Sequence, residues 1–115
     1  MAQIFDGTEG APIALADFQA WKANYQATIG PNEIKAHFFG YHIINKILGQ
    51  PGCKGIRIYY GIDGNGTKQL LLAGAEANMN DMLPATQLLS AGDPNTLGDA
   101  SFPCPPYCNG GGGGN

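Results

Sequence analysis

The first regular pattern of apolar positions is Leu15, Phe18, Trp21 and Tyr25, at spacings of three, three and four residues. On a helix these positions form one apolar stripe. The pattern predicts a helix from Pro12 to about Ala27, entered from Thr8 or a residue in Glu9–Pro12 and stopped by Gly30-Pro31. A stripe of large aromatic side chains is more often core than ligand cradle, so Trp21 is expected to be buried. A second helix is predicted from Asn32 to Leu48, with Asn32 as N-cap and Glu33 in the first turn. Ile34, Phe38, Tyr41, Ile44 and Leu48 form its main face, widened by Phe39, Ile43 and Ile47. Gly40 weakens that helix and suggests a close approach of another element. Gly49-Gln50-Pro51-Gly52 ends it.

The period then changes to two. Ile56, Ile58, Tyr60 and Ile62 alternate with other residues, Asp63-Gly64-Asn65-Gly66 is turn chemistry, and Thr67–Ala75 returns through Leu70, Leu71 and Leu72. This is a hairpin over residues 55–75. A lone hairpin is marginal, so it must pack on the helices or pair with more strands, from Ala2–Phe5 or from beyond Ala77. The expected fold is α+β: two helices on a small antiparallel sheet containing the central hairpin, with Trp21, Phe38, Tyr41, Ile56 and Ile58 buried. From Asn78 onward Pro84, Gly92 and Pro94 interrupt the pattern, and an irregular proline- and glycine-rich region follows. Residues 1–108 are read as one domain and residues 109–115 as a glycine-rich tail.

Composition sharpens this picture at one point. Charged residues are 13% of the 115, against about 25% in ordinary soluble domains, so much of the surface must be neutral or apolar. The net charge of −3 is unevenly spread. Asp6, Glu9 and Asp17 precede every base; all six bases lie between Lys22 and Lys68, and Glu76, Asp81, Asp93 and Asp99 follow. Acidic ends packing on a basic middle, within a subunit or between subunits, would use that layout. Six dispersed bases make a poor nucleic-acid footprint. No segment has the ~20 apolar residues of a membrane span. The opening Met1-Ala2-Gln3-Ile4-Phe5-Asp6 lacks the regions of a secretory signal. A cytoplasmic protein is expected, with leaderless export as the other route to the cell exterior.

Candidate chemistry is sparse. Asp63-Gly64-Asn65-Gly66-Thr67 has the alternating oxygens of a calcium loop, but Lys68 and Gly74 stand where that loop needs glycine and glutamate; the turn reading is preferred. On a helix, His37 and His42 would diverge by roughly 140° and form no one-face zinc pair. Cys53, Cys104 and Cys108, with His37, could make a Cys3His zinc set. An extended Cys104-Pro105-Pro106-Tyr107-Cys108 would hold its sulfurs ~12 Å apart, so a disulfide or shared metal needs a turn or a cis proline. Reduced thiols, a disulfide and a metal all stay open, the odd cysteine count favouring thiols. The chain has no nucleophile elbow, phosphate loop or dinucleotide fingerprint, and an enzyme is not expected.

The runs Ile34-Lys35-Ala36-His37-Phe38-Phe39-Gly40, Gln50–Asp63 (QPGCKGIRIYYGID) and Cys104-Pro105-Pro106-Tyr107-Cys108 resemble a family of small uncharacterised bacterial proteins, mainly from Bacteroidetes. The resemblance covers about residues 10–108 and implies no activity and no role for any residue. Two functions of different class remain. One is a structural protein that self-associates into an extended homo-oligomeric assembly, a filament or lattice, through the tail Cys108, Asn109, Gly110, Gly111, Gly112, Gly113, Gly114 and Asn115. With almost no side chains, that tail can add to a neighbour like a strand, and a head-to-tail contact that does not close gives a filament. The other is a small metal- or thiol-based binding module using Cys53, Cys104 and Cys108.

Overall fold

The computed structural model describes residues 4–84 and 95–109. The chain is α+β. In order, its elements are α1 (Leu15–Gln26), β1 (Ala36–Phe38), α2 (Tyr41–Leu48), β2 (Cys53–Ile62), β3 (Lys68–Glu76), β4 (Leu97–Gly98) and β5 (Phe102–Cys104). They sort into two compact units. One contains Met1–Glu9 and Phe39–Ser101, the other Gly10–Phe38 and Phe102–Asn115.

The first unit is built on the hairpin. β2 and β3 pair antiparallel from Ile62↔Lys68 to Cys53↔Glu76, with a bulge between Cys53 and Gly55. Asp63 closes the turn: its Oδ1 accepts the N–H groups of Asn65 and Thr67, and its Oδ2 accepts from Gln69 Nε2. Gly66 takes a φ of 82°, where a side chain would be strained. β4 adds to β3 as an edge, through Leu72↔Gly98 and Ala73↔Leu97. The strand order is therefore β2-β3-β4.

α2 packs on this sheet over two glycines. A Cβ at Gly98 would lie 3.1 Å from Ile43 Cγ1, and one at Gly74 would lie 2.8 Å from Gln50 Nε2 and 3.3 Å from Ile47 Cγ2. A side chain at either position would crowd the packed groups. Ile47 is completely buried and Leu72, Ala73, Ala75 and Met82 nearly so. Burying an isoleucine side chain contributes roughly 1.5–3 kcal/mol, so Ile47 anchors this small core. The buried Gln50 completes it. Its Nε2 donates to Ile47 O, at the end of α2, and its Oε1 accepts the Thr96 N–H at 2.7 Å.

The second unit contains α1 and the two-stranded β1–β5 sheet, in register Ala36↔Cys104, His37↔Pro103 and Phe38↔Phe102. α1 ends where Gly30-Pro31 predicts. Thr28 N–H and Oγ1 both donate to Tyr25 O, and Glu33 Oε2 accepts the Gly30 N–H.

Two expectations are corrected here. Residues 32–48 are not one helix: Ala36–Phe38 is a strand, and α2 starts only at Tyr41, with Gly40 extended at its N-cap. The run Ile34–Phe39 is too short for its apolar positions, interrupted by Lys35 and His37, to separate the two periods, and pairing with β5, extended by Lys35 N–H donating to Cys104 O at 2.7 Å, decides it. Nor are the aromatic stripes buried. No residue of α1 is buried among those described, and Trp21, Phe38, Tyr41 and Ile58 are exposed, while Ile56 is half-buried. Two strands of three residues offer about 10 Å of length, and the twelve-residue α1 runs about 18 Å. A sheet that small cannot cover such a stripe.

Candidate functional site

The cysteines come first. Cys104 and Cys108 form a disulfide, with Cα atoms 4.8 Å apart. The peptide bonds Cys104–Pro105 and Pro105–Pro106 are cis, and Tyr107 N–H donates back to Pro103 O, so the segment turns instead of extending. The two sulfurs bond to each other and so do not serve as thiolate ligands of the expected zinc set. Cys53 is a free, half-buried thiol at the start of β2, its Sγ donating to Gly55 O at 3.2 Å. His37 lies on β1, where burial lowers its pKa below the usual 6.5. Among the described residues no group of three or more His, Cys, Asp or Glu side chains is placed to hold a metal.

His42 lies on α2, not on one helix with His37, and Tyr41 stacks on His42 with ring centroids 5.0 Å apart. Cys108 is half-buried and Asn109 exposed. Gly110, Gly111, Gly112, Gly113, Gly114 and Asn115, the rest of the expected self-association segment, lie outside the described residues. In the second unit, Phe18 and Lys22 of α1 and the disulfide loop line a groove of about 310 Å³.

On one face of the hairpin lies a polar network that sequence reasoning did not find. Arg57 Nη1 donates to Asp81 Oδ1 at 2.7 Å and to Met79 O at 3.1 Å, and the Tyr59 hydroxyl donates to Asp81 Oδ2 in a short bond. The Phe5 ring sits 5.3 Å from Arg57 Cζ, a cation–π distance. The Tyr59 hydroxyl first, and Asp81 after it, raise the arginine pKa. One base of the middle segment is thus matched to an acid of the last, within a subunit. The available signal was the placement of Arg57 and Tyr59 on the face opposite Ile56 and Ile58. Asp81 gave none, being 24 residues away from Arg57 in sequence.

The other face carries Ile56, Ile58, Tyr60 and Ile62, opposite Gly74, Leu72, Leu70 and Lys68 of β3. Its near end is covered by α2. Its far end is open: Ile58 is 55% exposed, Ile62 73% and Tyr60 93%. Length explains the difference. The eight residues of α2 reach about 12 Å, whereas the ten of β2 reach about 33 Å. Among the described residues β2 is also an edge strand, with β3 as its neighbour in the sheet. From Ile58 to Ile62 it holds no charge and no proline, the two usual protections of an edge.

No helix among the described residues is long and apolar enough to cross a membrane. Comparison with protein-family models, with curated proteins and with solved structures finds no match for this chain.

Proposed function

We propose that this chain is a structural protein that works by associating with copies of itself, in an extended homo-oligomeric assembly. The observation that carries this reading is the uncovered row Ile58, Tyr60 and Ile62 on an unprotected edge strand. Contiguous apolar surface marks contact sites, and natural edges left this bare pair with something. The sparse charge of the whole sequence fits the same reading, because little of the surface is committed to solvation.

Growth beyond a dimer needs a second contact. The glycine-rich sequence after Asn109, with almost no side chains, can add to a neighbouring subunit by its backbone. Acidic residues at both ends, meeting the basic middle of the next copy, would set register more than affinity. The disulfide bears on where this happens. Disulfides persist in oxidising compartments, so leaderless or other export suits this reading better than residence in the cytoplasm.

Light scattering on sized fractions, with electron microscopy of the concentrated protein, tests the proposal. Full-length protein is expected as oligomers that grow with concentration. A chain lacking residues 109–115 is expected to stay folded and lose the larger species. Full-length protein that remains monomeric at millimolar concentration sinks the reading.

A further inference from the structure

Two hydrogen bonds set the phase of the β2–β3 ladder. Asp63 N–H donates to Thr67 O at 2.9 Å, and on the other side of β3 Met82 N–H donates to Gly74 O at 2.8 Å. Residues of an antiparallel strand alternate between pointing their backbone groups at the neighbour and away from it. With Arg57↔Ala73, Tyr59↔Leu71 and Gly61↔Gln69 in register, those three face β3. The N–H and C=O groups of Ile56, Ile58, Tyr60 and Ile62 therefore point out of the sheet edge. The same four residues supply the apolar row.

We infer that this edge pairs antiparallel with β2 of a second copy, across a two-fold axis at Tyr59, to make a continuous sheet of both hairpins. The inference rests on the self-association reading and gives it a geometry. The bulge between Cys53 and Gly55 ends the regular edge, and the regular segment Ile56–Ile62 has Tyr59 at its centre. Full overlap of two such segments sets Ile58 opposite Tyr60 of the partner subunit, and Ile56 opposite Ile62 of the partner subunit. These are aromatic–β-branched and β-branched pairs, which favour pairing. Arg57 falls opposite Gly61 of the partner subunit, where no side chain obstructs it. Sliding the axis to Ile58 would bring the two Arg57 residues to diagonal positions, within reach of each other and of like charge. Charge and the bulge thus select the same register. The contact is isologous and closes as a dimer, leaving the tail to supply extension.

Oxidative cross-linking tests the register in a C53S background, which removes the free thiol. At the axis the two Tyr59 residues form a non-hydrogen-bonded pair with Cα atoms about 4.5 Å apart, within disulfide range. Y59C should therefore cross-link almost completely. Two Y60C side chains would sit on a diagonal of roughly 7–8 Å and should cross-link poorly. Tyr60 is almost fully exposed, so Y60K should leave the monomer fold intact by circular dichroism. It alters two cross-strand pairs per dimer and should raise the dimer Kd roughly tenfold. Oligomers that survive Y60K and fail to cross-link through Y59C overturn this interface while the self-association reading stands. Equal cross-linking of Y59C and Y60C overturns the register. A wild-type chain that is monomeric throughout removes both.

Discussion

The two units hold together by different means. In the first, the hairpin is long enough to receive a helix, and Ile47, Leu72, Ala73 and Met82 are buried around the hydrogen-bonded Gln50. In the second, the strands are three residues long, the helix stripe is exposed, and Cys104 is the one core residue among those described. There a covalent bond does what burial does in the first. Small units with little apolar core commonly depend on disulfides. Apolar sequence is abundant in both; what differs is the area of sheet available to bury it.

The largest expected effect tests the burial side of this contrast. Ile47→Ala should destabilise the hairpin unit by about 2–5 kcal/mol, read as a lower melting temperature and faster exchange of β2 and β3 amides. A variant as stable as the parent would break the comparison. Gln50→Ala should cost about 1–3 kcal/mol, because the buried amide is lost and the half-buried Thr96 N–H loses its acceptor. Denaturant titration measures it, and an unchanged midpoint would remove Gln50 from the account.

The covalent side comes next. Closing a loop of five residues is worth about 2 kcal/mol in the chain-entropy model. Cys104→Ser with Cys108→Ser, or reduction of the parent, should therefore weaken β1–β5 pairing. The amide of Lys35, bonded to Cys104 O, is the probe. Retained protection of that amide after reduction would show that the strand pair needs no cross-link.

The smallest effect is a pH dependence that lies in a different range in each unit. Burial lowers the His37 pKa in the folded state, so below about 6.5 the unfolded chain binds the extra proton more readily. Stability of the second unit should fall as pH drops through that region, and His37→Gln should flatten the slope. In the first unit, the bonds from Gln69, and after it Thr67 and Asn65, lower the Asp63 pKa. Its contribution is present above pH 3.8 and is lost as pH falls through the folded value. Thermal melts between pH 8 and pH 3 separate the two, and a His37→Gln variant with the parent's slope would contradict the assignment.

Legibility followed the same division. The hairpin, its Asp63 turn and the Gly30-Pro31 stop were readable because each is a local choice, made by alternation, side-chain acceptors and backbone freedom within a few residues. The site was readable in part. Ile56, Ile58, Tyr60 and Ile62 announce a shared face, but nothing local states that α2 covers one end and leaves the other open. The Arg57–Asp81–Tyr59 cluster and the role of Gln50 depend on partners 22 to 46 residues away, and no periodicity reports such a pairing.

By itself the sequence determined the α+β class, the hairpin and its register-setting turn, and the low charge. The tertiary structure decided the rest. It turned Ala36–Phe38 into a strand, because β5 offered backbone partners that a helix in isolation does not need. It joined Cys104 to Cys108, because the chain reverses between them. It exposed Trp21 and Tyr60, because burial depends on the area of the opposing surface, and that area is a property of how elements meet and of no single residue's hydrophobicity.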